Sequence, residues 1–255
     1  AWTFTYDVAP EDFPADVDIA QLPENVQATL AENGSIQLVS NQFHTYVGQD
    51  VRLEMVTEDV IHSFWVPSMR IKQDLLPGRV TEVRFTPIEP GVYRVVCAEL
   101  CGSGHGDMAG QIVNGNLVGG WVIVHPDEET YRREFLEPET LSVLFPPEDP
   151  VELGRQILAS GRYPCNTCHT LDDLGWVGTI GPSLNGIGAR TQRLDASGHP
   201  DMETYLHESI RNPGAYLVPG FGNLMPQFNP EPTQPNYMPE ADLEAVVAYL
   251  LSQTE

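Results

Sequence analysis

The chain has few basic residues for its length. Lys and Arg total 13 against 36 Asp and Glu in 255 residues, which gives a formal net charge of −23 at pH 7. Nucleic acid is therefore disfavoured as a partner, because phosphate binding needs Lys and Arg. A positively charged protein would instead be steered toward this acidic surface. The alternative is that the charge only keeps the chain in solution.

The sequence also lacks a signal peptide and any long apolar run, so the chain by itself is expected to be soluble. Cysteine is scarce: four residues form Cys97-x3-Cys101 and Cys165-x2-Cys168, the latter followed by His169. Both spacings suit a cofactor, so no disulfide framework is needed. The chain is long enough for two domains, and each cysteine pair is predicted to mark one cofactor site.

The first pair belongs to a stretch rich in metal-binding side chains, Cys97, Cys101, His105 and Met108. Three glycines, at 102, 104 and 106, favour a loop, because glycine is costly inside a helix. Sulfur ligands select copper, zinc or iron–sulfur centres, and imidazole suits copper and zinc. Two thiolates can bridge two copper ions, each of which then takes one histidine. Met108 and a backbone carbonyl would be weak outer ligands, and His62 is the candidate second histidine.

A structural zinc site of Cys2His2 type and a buried disulfide are the alternatives at this stretch. The usual zinc spacing includes a His-x3–5-His pair, which the sequence does not contain. Neither alternative accounts for Met108 or for the three glycines. A dicopper centre is therefore the prediction.

The stretch 97–108 closely resembles the copper loop of cytochrome c oxidase subunit II. Three further segments match that family, His62-Ser-Phe-Trp-Val-Pro67, Lys72-Gln-Asp-Leu-Leu-Pro-Gly-Arg79 and Pro90-Gly-Val-Tyr-Arg94. The resemblance implies a binuclear copper centre, CuA, whose ligands are His62, Cys97, the backbone oxygen of Glu99, Cys101, His105 and Met108. It also implies that the Glu99 carboxylate points to a Mg²⁺ at the interface with the catalytic subunit.

The resemblance covers roughly residues 1–135 and carries an expectation for the N-terminus. The family has two transmembrane helices ahead of its copper domain, and the segment 1–6 resembles the chain just after them. The sequence is thus expected to be a soluble fragment of a membrane subunit, on the outer face of a prokaryotic cell membrane. On this alignment the tryptophan through which electrons enter the family's copper centre lies just before residue 1, and whether Trp2 substitutes for it is open.

Short runs of alternating apolar residues follow residue 35, separated by Pro and Gly. They predict an all-β sandwich or barrel, and the cupredoxin fold implied by the family fits this pattern. The segment 112–124 departs from the family and is interpreted as an inserted hairpin around Asn114-Gly115, a favourable turn pair. A short helix is predicted at 127–135, and the Pro- and Glu-rich segment 136–150 is predicted to be a linker.

The second half begins with helical spacing over 151–160 and reaches Cys165-Asn-Thr-Cys168-His169, the signature of c-type haem attachment. The two thiols can bond the two vinyl groups of one haem, and the adjacent imidazole then reaches the iron. A redox Cys-x-x-Cys is the alternative. The candidates for the sixth iron ligand are Met202, Met225, Met238, His199 and His207. Met225 is favoured because it lies in a loop fixed by Pro226.

Residues 148–255 resemble a class I cytochrome c, which implies an all-α domain, here assigned to 151–255. In that family the axial methionine precedes a proline, as Met225 does. The segment 181–187 matches the one whose proline, here Pro182, accepts a hydrogen bond from the proximal imidazole. An amphipathic closing helix is expected at 241–251.

The two halves together resemble caa-type oxidases, in which subunit II carries its own cytochrome c. The resemblance implies an electron path from an external donor, such as a soluble cytochrome c or another small redox protein, through haem c to CuA. Electrons then pass to subunit I, which with the other oxidase subunits reduces O₂ to water and pumps protons. This chain holds none of the oxygen chemistry. The alternatives are a CuA-containing subunit of a nitric oxide reductase and a copper-delivery protein.

Overall fold

The computed structural model describes residues 2–102, 104–113, 115–234 and 236–255. It divides into two compact units, 1–146 and 147–255, which are described separately. Asn114 of the predicted turn lies outside the described residues.

The N-terminal unit is built mainly from short β-strands. They are β1 (Phe4–Val8), β2 (Ile36–Ser40), β3 (Phe43–Tyr46), β4 (Val51–Met55), β5 (His62–Val66), β6 (Ile71–Leu75), β7 (Thr81–Phe85), β8 (Gly91–Arg94), β9 (Val96–Cys97), β10 (Gln111–Val113), β11 (Asn116–Val118) and β12 (Trp121–His125).

The strands pair in several small sheets. Strand β12 lies between β3, to which it is parallel, and β8, to which it is antiparallel, and β5 lies between β6 and β9. Strands β4 and β7 pair, as do β1 and β2. Inward-facing side chains from different sheets, such as Phe43, Phe64, Val66 and Val122, form one buried cluster. The packing of sheets on a shared core confirms the predicted all-β character of this region.

The predicted hairpin is confirmed, whereas its being an insertion relative to the family stays a prediction. Strands β10 and β11 are antiparallel, with Gln111 opposite Val118. The base of the hairpin is closed by a bridge between Ala109 and Gly120. The chain therefore leaves the β framework after Ala109 and rejoins it beside the point of departure.

Helices cover a second apolar cluster of the same unit. Helix α1 (Glu24–Asn33) ends at Gly34, whose φ is 74°. Helix α2 (Glu128–Tyr131) continues through a π-helical turn (Arg132–Leu136) into α3 (Glu137–Leu144). The helical structure thus extends into the predicted linker 136–150, because Leu144 is fully buried against this cluster.

The C-terminal unit is mainly helical. Its helices are α4 (Pro150–Ala159), α5 (Gln192–Ser197), α6 (Met202–Arg211) and α7 (Glu240–Ser252), and one short strand pair joins β13 (Thr170–Leu171) to β14 (Trp176–Val177). The predicted helices at 151–160 and 241–251 are confirmed within a residue. At the crossing of α4 and α7 a side chain at Gly154 would collide with the carbonyl oxygen of Ala245. The segment 212–239 has no helix and carries Met225.

Candidate copper and haem sites

The pairing of β5 with β9 brings His62 to Cys97 across 35 positions of sequence. Phe64 lies opposite Cys97, and the backbone N–H of Ala98 donates to the carbonyl of Ser63 at 3.1 Å. His62 begins β5 and Cys97 ends β9, so both face the same end of the sheet. The Nδ1 atom of His62 lies 3.8 Å from the Sγ atom of Cys97.

The loop after Cys97 folds its remaining donors around the second sulfur. The Sγ atom of Cys101 lies 3.8 Å from that of Cys97, 3.3 Å from Nδ1 of His105 and 3.5 Å from Sδ of Met108. The backbone oxygen of Glu99 lies 3.2 Å from Sγ of Cys97. All six donors predicted from the sequence therefore converge. We call this cluster, made by His62, Cys97, Glu99, Cys101, His105 and Met108, the sulfur site.

The sulfur site suits soft metal ions. The donor atoms of His62, Cys97 and Cys101 all lie within 4.8 Å of one another. Both cysteines are free, and their separation is far above the length of a disulfide bond, so the disulfide alternative fails. A thioether completes the set, and thioether sulfur is a copper ligand rather than a usual zinc ligand. The donors thus fit copper best.

Burial shapes the acid–base behaviour of the sulfur site. Burial, together with the neighbouring Cys97, raises the pKa of Cys101 to about 11. Without a cation, this thiol therefore keeps its proton at neutral pH. A bound metal ion would stabilise the thiolate, so metal binding would release protons.

Asp59 is a further residue of the site, which sequence reasoning missed. Its carboxylate oxygen lies 3.0 Å from Nε2 of His62 and also accepts a hydrogen bond from the Thr57 hydroxyl. A proton on Nε2 leaves the lone pair of Nδ1 directed at Cys97, where a metal would bind. The only signal in the sequence was an acidic residue three positions before His62.

Trp2 packs directly behind this histidine. Its ring meets those of His62 and Phe64 edge-on, with centroid separations of 6.4 and 5.5 Å. The indole is buried, with its N–H unpaired. Trp2 is therefore part of the apolar wall of the sulfur site.

The second cysteine pair lines a cavity in the C-terminal unit. The cavity encloses about 1060 Å³, including its open mouth, and is lined mainly by apolar side chains. Cys165, Cys168, His169, Pro182 and Met225 all line it. Because the residues predicted to hold haem line it, we call it the haem cavity.

His169 is held in one orientation within this cavity. Its Nδ1–H donates to the carbonyl of Pro182 at 2.7 Å, as the family resemblance implied. Burial lowers the pKa of His169, although the hydrogen bond to Pro182 opposes this shift. The neutral ring directs its Nε2 lone pair into the cavity. A side chain at Gly181 would come within 2.7 Å of the imidazole, a close approach that sequence reasoning missed.

The candidates for the sixth ligand differ in position. Met225 and Met238 both line the haem cavity, but Met238 is only 1% exposed and belongs to the apolar core. Met202 is also a core residue. His199 lies 2.6 Å from Glu208, and His207 lies 3.9 Å from Glu240. Met225, half-buried in the irregular segment 212–239, stays the predicted ligand.

Comparison with known proteins assigns both units. Residues 1–114 match the family model for the periplasmic domain of cytochrome c oxidase subunit II, and residues 151–254 match that for cytochrome c. The chain joins a subunit II periplasmic domain to a cytochrome c domain. The predicted fold, a cupredoxin-like β domain followed by a helical cytochrome c domain, is thereby confirmed. The subunit II domain implies copper, and the cytochrome c domain implies haem.

Two individual relatives are both named cytochrome c oxidase subunit 2. Cytochrome c oxidase subunit 2 of Thermostichus vulcanus is 45% identical over 46% of this chain and 32% of its own length. The subunit 2 of Alkalihalophilus pseudofirmus is 32% identical over 81% of this chain and 52% of its own length. The chain thus spans about a third to a half of these relatives. A solved periplasmic domain of subunit II from Bradyrhizobium japonicum is 29% identical, with a TM-score of 0.30, over 38% of this chain and 67% of that structure.

None of the helices in the described part of the chain has the length and apolarity of a membrane span.

Proposed function

We propose that this chain is the electron-transfer part of subunit II of an aerobic respiratory cytochrome c oxidase. Electrons would pass from an external donor through haem c to a binuclear CuA centre and on to subunit I, which reduces O₂ to water with proton translocation. The observation that carries the proposal is the convergence of six predicted donors, each within 3.8 Å of another donor.

The residues of the sulfur site would bind copper in different roles. Cys97 and Cys101 would bridge two ions, and His62 and His105 would each bind one through Nδ1. Met108 and the Glu99 carbonyl would complete the coordination weakly. Asp59 would fix the His62 ring, and the wall formed by Trp2 and Phe64 would exclude water.

In the haem cavity, Cys165 and Cys168 would hold the haem through thioether bonds. His169 and Met225 would be the axial ligands, with the Pro182 carbonyl orienting the His169 ring. When bound, the copper pair and the haem iron each take up and release one electron, so no general acid, base or nucleophile is required of the polypeptide.

The proposal includes partners and a location. Subunit I would receive the electrons, and this subunit and the other oxidase subunits would be the partners at the outer face of a prokaryotic cell membrane. The carboxylate of Glu99, an exposed residue next to the sulfur site, would contribute to a Mg²⁺ at that interface. The donor would be a small basic redox protein, steered by the net charge of −23.

Metal analysis with paramagnetic resonance tests the proposal. The purified holoprotein should contain two copper ions per haem iron and give a mixed-valence signal in which one electron is shared by both coppers. A single copper ion without mixed valence would favour a copper-delivery protein. Zinc in place of copper, or protein without iron, would overturn the assignment.

Ionic strength tests the identity of the donor separately. The bimolecular rate of reduction by a basic cytochrome should fall as salt rises, because exposed charges are screened over about 10 Å at 0.1 M ionic strength. A rate that stays constant would remove the basic donor from the proposal and leave the relay itself intact.

A further inference from the structure

The segment 212–239 connects α6 to α7. The first half of this segment is held by few hydrogen bonds to the rest of the unit. Within 212–227 the backbone hydrogen bonds are local, such as Ala215 N–H to Asn212 O at 2.9 Å and Phe221 N–H to Val218 O at 3.1 Å. Met225 lies in this part and is half-buried. Its position must therefore depend on where the segment is attached to the helices.

The attachment is made at Phe228, and Arg211 is at its centre. The Phe228 N–H donates to the Ile210 carbonyl at 3.2 Å. The Nη1 group of Arg211 donates to the Phe228 carbonyl at 3.1 Å and to the Met238 carbonyl at 2.8 Å. Its Nη2 group donates to the Glu240 carboxylate at 2.8 Å. One guanidinium at the end of α6 thus holds two points of the segment and the first turn of α7.

The burial of these partners makes the contacts strong. The Arg211 side chain is 19% exposed, and Phe228 and Met238 are 3% and 1% exposed. Hydrogen bonds from a charged donor to buried carbonyls are stronger than neutral ones. Lysine could not reproduce them, because an ammonium lacks the planar fork that reaches separate acceptors.

Met225 is three residues from this anchor, so the chain between them spans at most about 10 Å. Pro226 further limits the backbone immediately after Met225. A shift of Phe228 is therefore transmitted to Met225 over a short, restricted path.

We propose that Arg211 is the positioning residue for Met225, holding the methionine sulfur over the haem cavity and setting how often it leaves the iron. The inference rests on the proposed function, since it needs haem and Met225 ligation. The simpler role of Arg211 is to stabilise the C-terminal end of α6 by its charge. That role would change stability without changing the fraction of haem that lacks its methionine.

Imidazole binding to the ferric holoprotein distinguishes the two roles. Imidazole occupies the iron only when the methionine has left, so its apparent dissociation constant falls as the open fraction rises. For Arg211→Gln we expect a fall of about ten-fold, corresponding to the loss of charge-assisted hydrogen bonds from the closed state. Arg211→Lys should lie between this variant and the unsubstituted protein.

The matched control is Arg162→Gln, which removes an arginine paired with Asp242 of α7 at 3.2 Å but without a contact to 212–239 among the described hydrogen bonds. It should leave imidazole binding within about two-fold. If Arg211→Gln also stays within that range, the positioning role is refuted. If Arg211→Gln does not accumulate as folded holoprotein, Arg211→Lys decides by the same criterion.

Met225→Ala separates this inference from the function on which it rests. The variant should bind imidazole with the full intrinsic affinity of the open iron. If its affinity equals that of the unsubstituted protein, Met225 is not the ligand, and both the axial assignment and the role of Arg211 fail. If Met225→Ala binds imidazole more tightly but the Arg211 variants bind it like the unsubstituted protein, the axial assignment stands. Only the positioning role of Arg211 is then refuted.

Discussion

At the sulfur site the polypeptide sets every predicted donor within 3.8 Å of another donor, whereas at the haem cavity the predicted ligands line an open and mainly apolar space. The first site is made by one strand pairing and one short loop. The second needs a cavity wall from several helices, and its far ligand lies on a long irregular segment. A small metal centre is therefore specified by contacts, and a large cofactor by the space that the fold leaves open.

The largest expected effect tests whether the sulfur site is assembled as one unit. Cys97→Ser should abolish the mixed-valence copper signal, because a hydroxyl cannot replace a bridging thiolate. Copper analysis and paramagnetic resonance of the purified variant measure this. The haem spectrum of the same sample is the internal control and should be unchanged. Persistence of the mixed-valence signal would show that the two sulfurs do not bridge.

The second effect concerns the far ligand of the haem cavity. Met225→Ala should retain covalently attached haem but change its spin state and lower its reduction potential, because methionine raises the potential of haem iron. Absorption spectra and a redox titration measure both quantities.

Met238→Ala is the matched control, since Met238 lines the same cavity but is part of the core. It should cost roughly 2–5 kcal/mol of unfolding free energy and keep the spin state. If Met238→Ala changes the spin state and Met225→Ala does not, the two roles are reversed.

A smaller effect is expected from the support of His62. Asp59→Asn should weaken copper binding about 10- to 100-fold, the usual cost of losing a carboxylate that orients a ligating histidine. Competition with a copper chelator measures the affinity. Glu58→Gln, at the exposed neighbouring position, removes the same charge without touching His62. Equal affinities for the two variants would leave Asp59 without a role beyond its charge.

The smallest expected effect is a pH dependence of the folding stability of the N-terminal unit. Nδ1 of His44 lies 3.1 Å from Nε2 of His125, and the His44 ring stacks on Phe135 with a centroid separation of 3.9 Å. Burial, with a further contribution from His125, lowers the pKa of His44 from 6.5 to about 3. Burial also lowers the pKa of His125, which the Glu134 carboxylate partly opposes.

The direction in which stability changes with pH follows from the lowered pKa of His44. The unfolded chain binds the proton more readily, so the stabilisation is complete above about pH 6.5 and is lost as pH falls toward 3. The slope is at most about 1.4 kcal/mol per pH unit for each histidine. Urea unfolding followed by copper absorption measures it, and His44→Gln should flatten the curve. An unchanged slope in His44→Gln would show that another group responds to acid.

The sequence was sufficient for the parts of each site that depend on local spacing. The loop 97–108 and the Cys-x-x-Cys-His segment carry their donors at fixed short separations, and the segment 151–160 shows helical spacing. Resemblance to known families supplied the role of Pro182 and assigned His62, already a candidate, to the copper ligands. These contacts appear in the structure as expected.

The remaining features depend on tertiary packing that spacing does not encode. The helical segment ending at Leu144 was taken for a linker, because its Pro and Glu content hides the single buried face. The contact of Asp59 with His62 and the close approach of Gly181 to His169 need three-dimensional proximity. The sequence favoured Met225 over Met238 through Pro226, but the place of Met238 in the core depends on tertiary packing.

The hairpin of β10 and β11 gives the chain a position at which its length can change. Its two ends are joined by the Ala109–Gly120 bridge, and the Gly120 N–H donates to the Met108 carbonyl at 3.2 Å. A reporter peptide spliced in at Gly115, an exposed turn residue, would therefore add sequence without separating the ends. Met108 lies seven positions before Gly115, so a fluorophore or spin label on such a graft would lie at most about 25 Å from a predicted metal ligand while leaving the β framework uninterrupted.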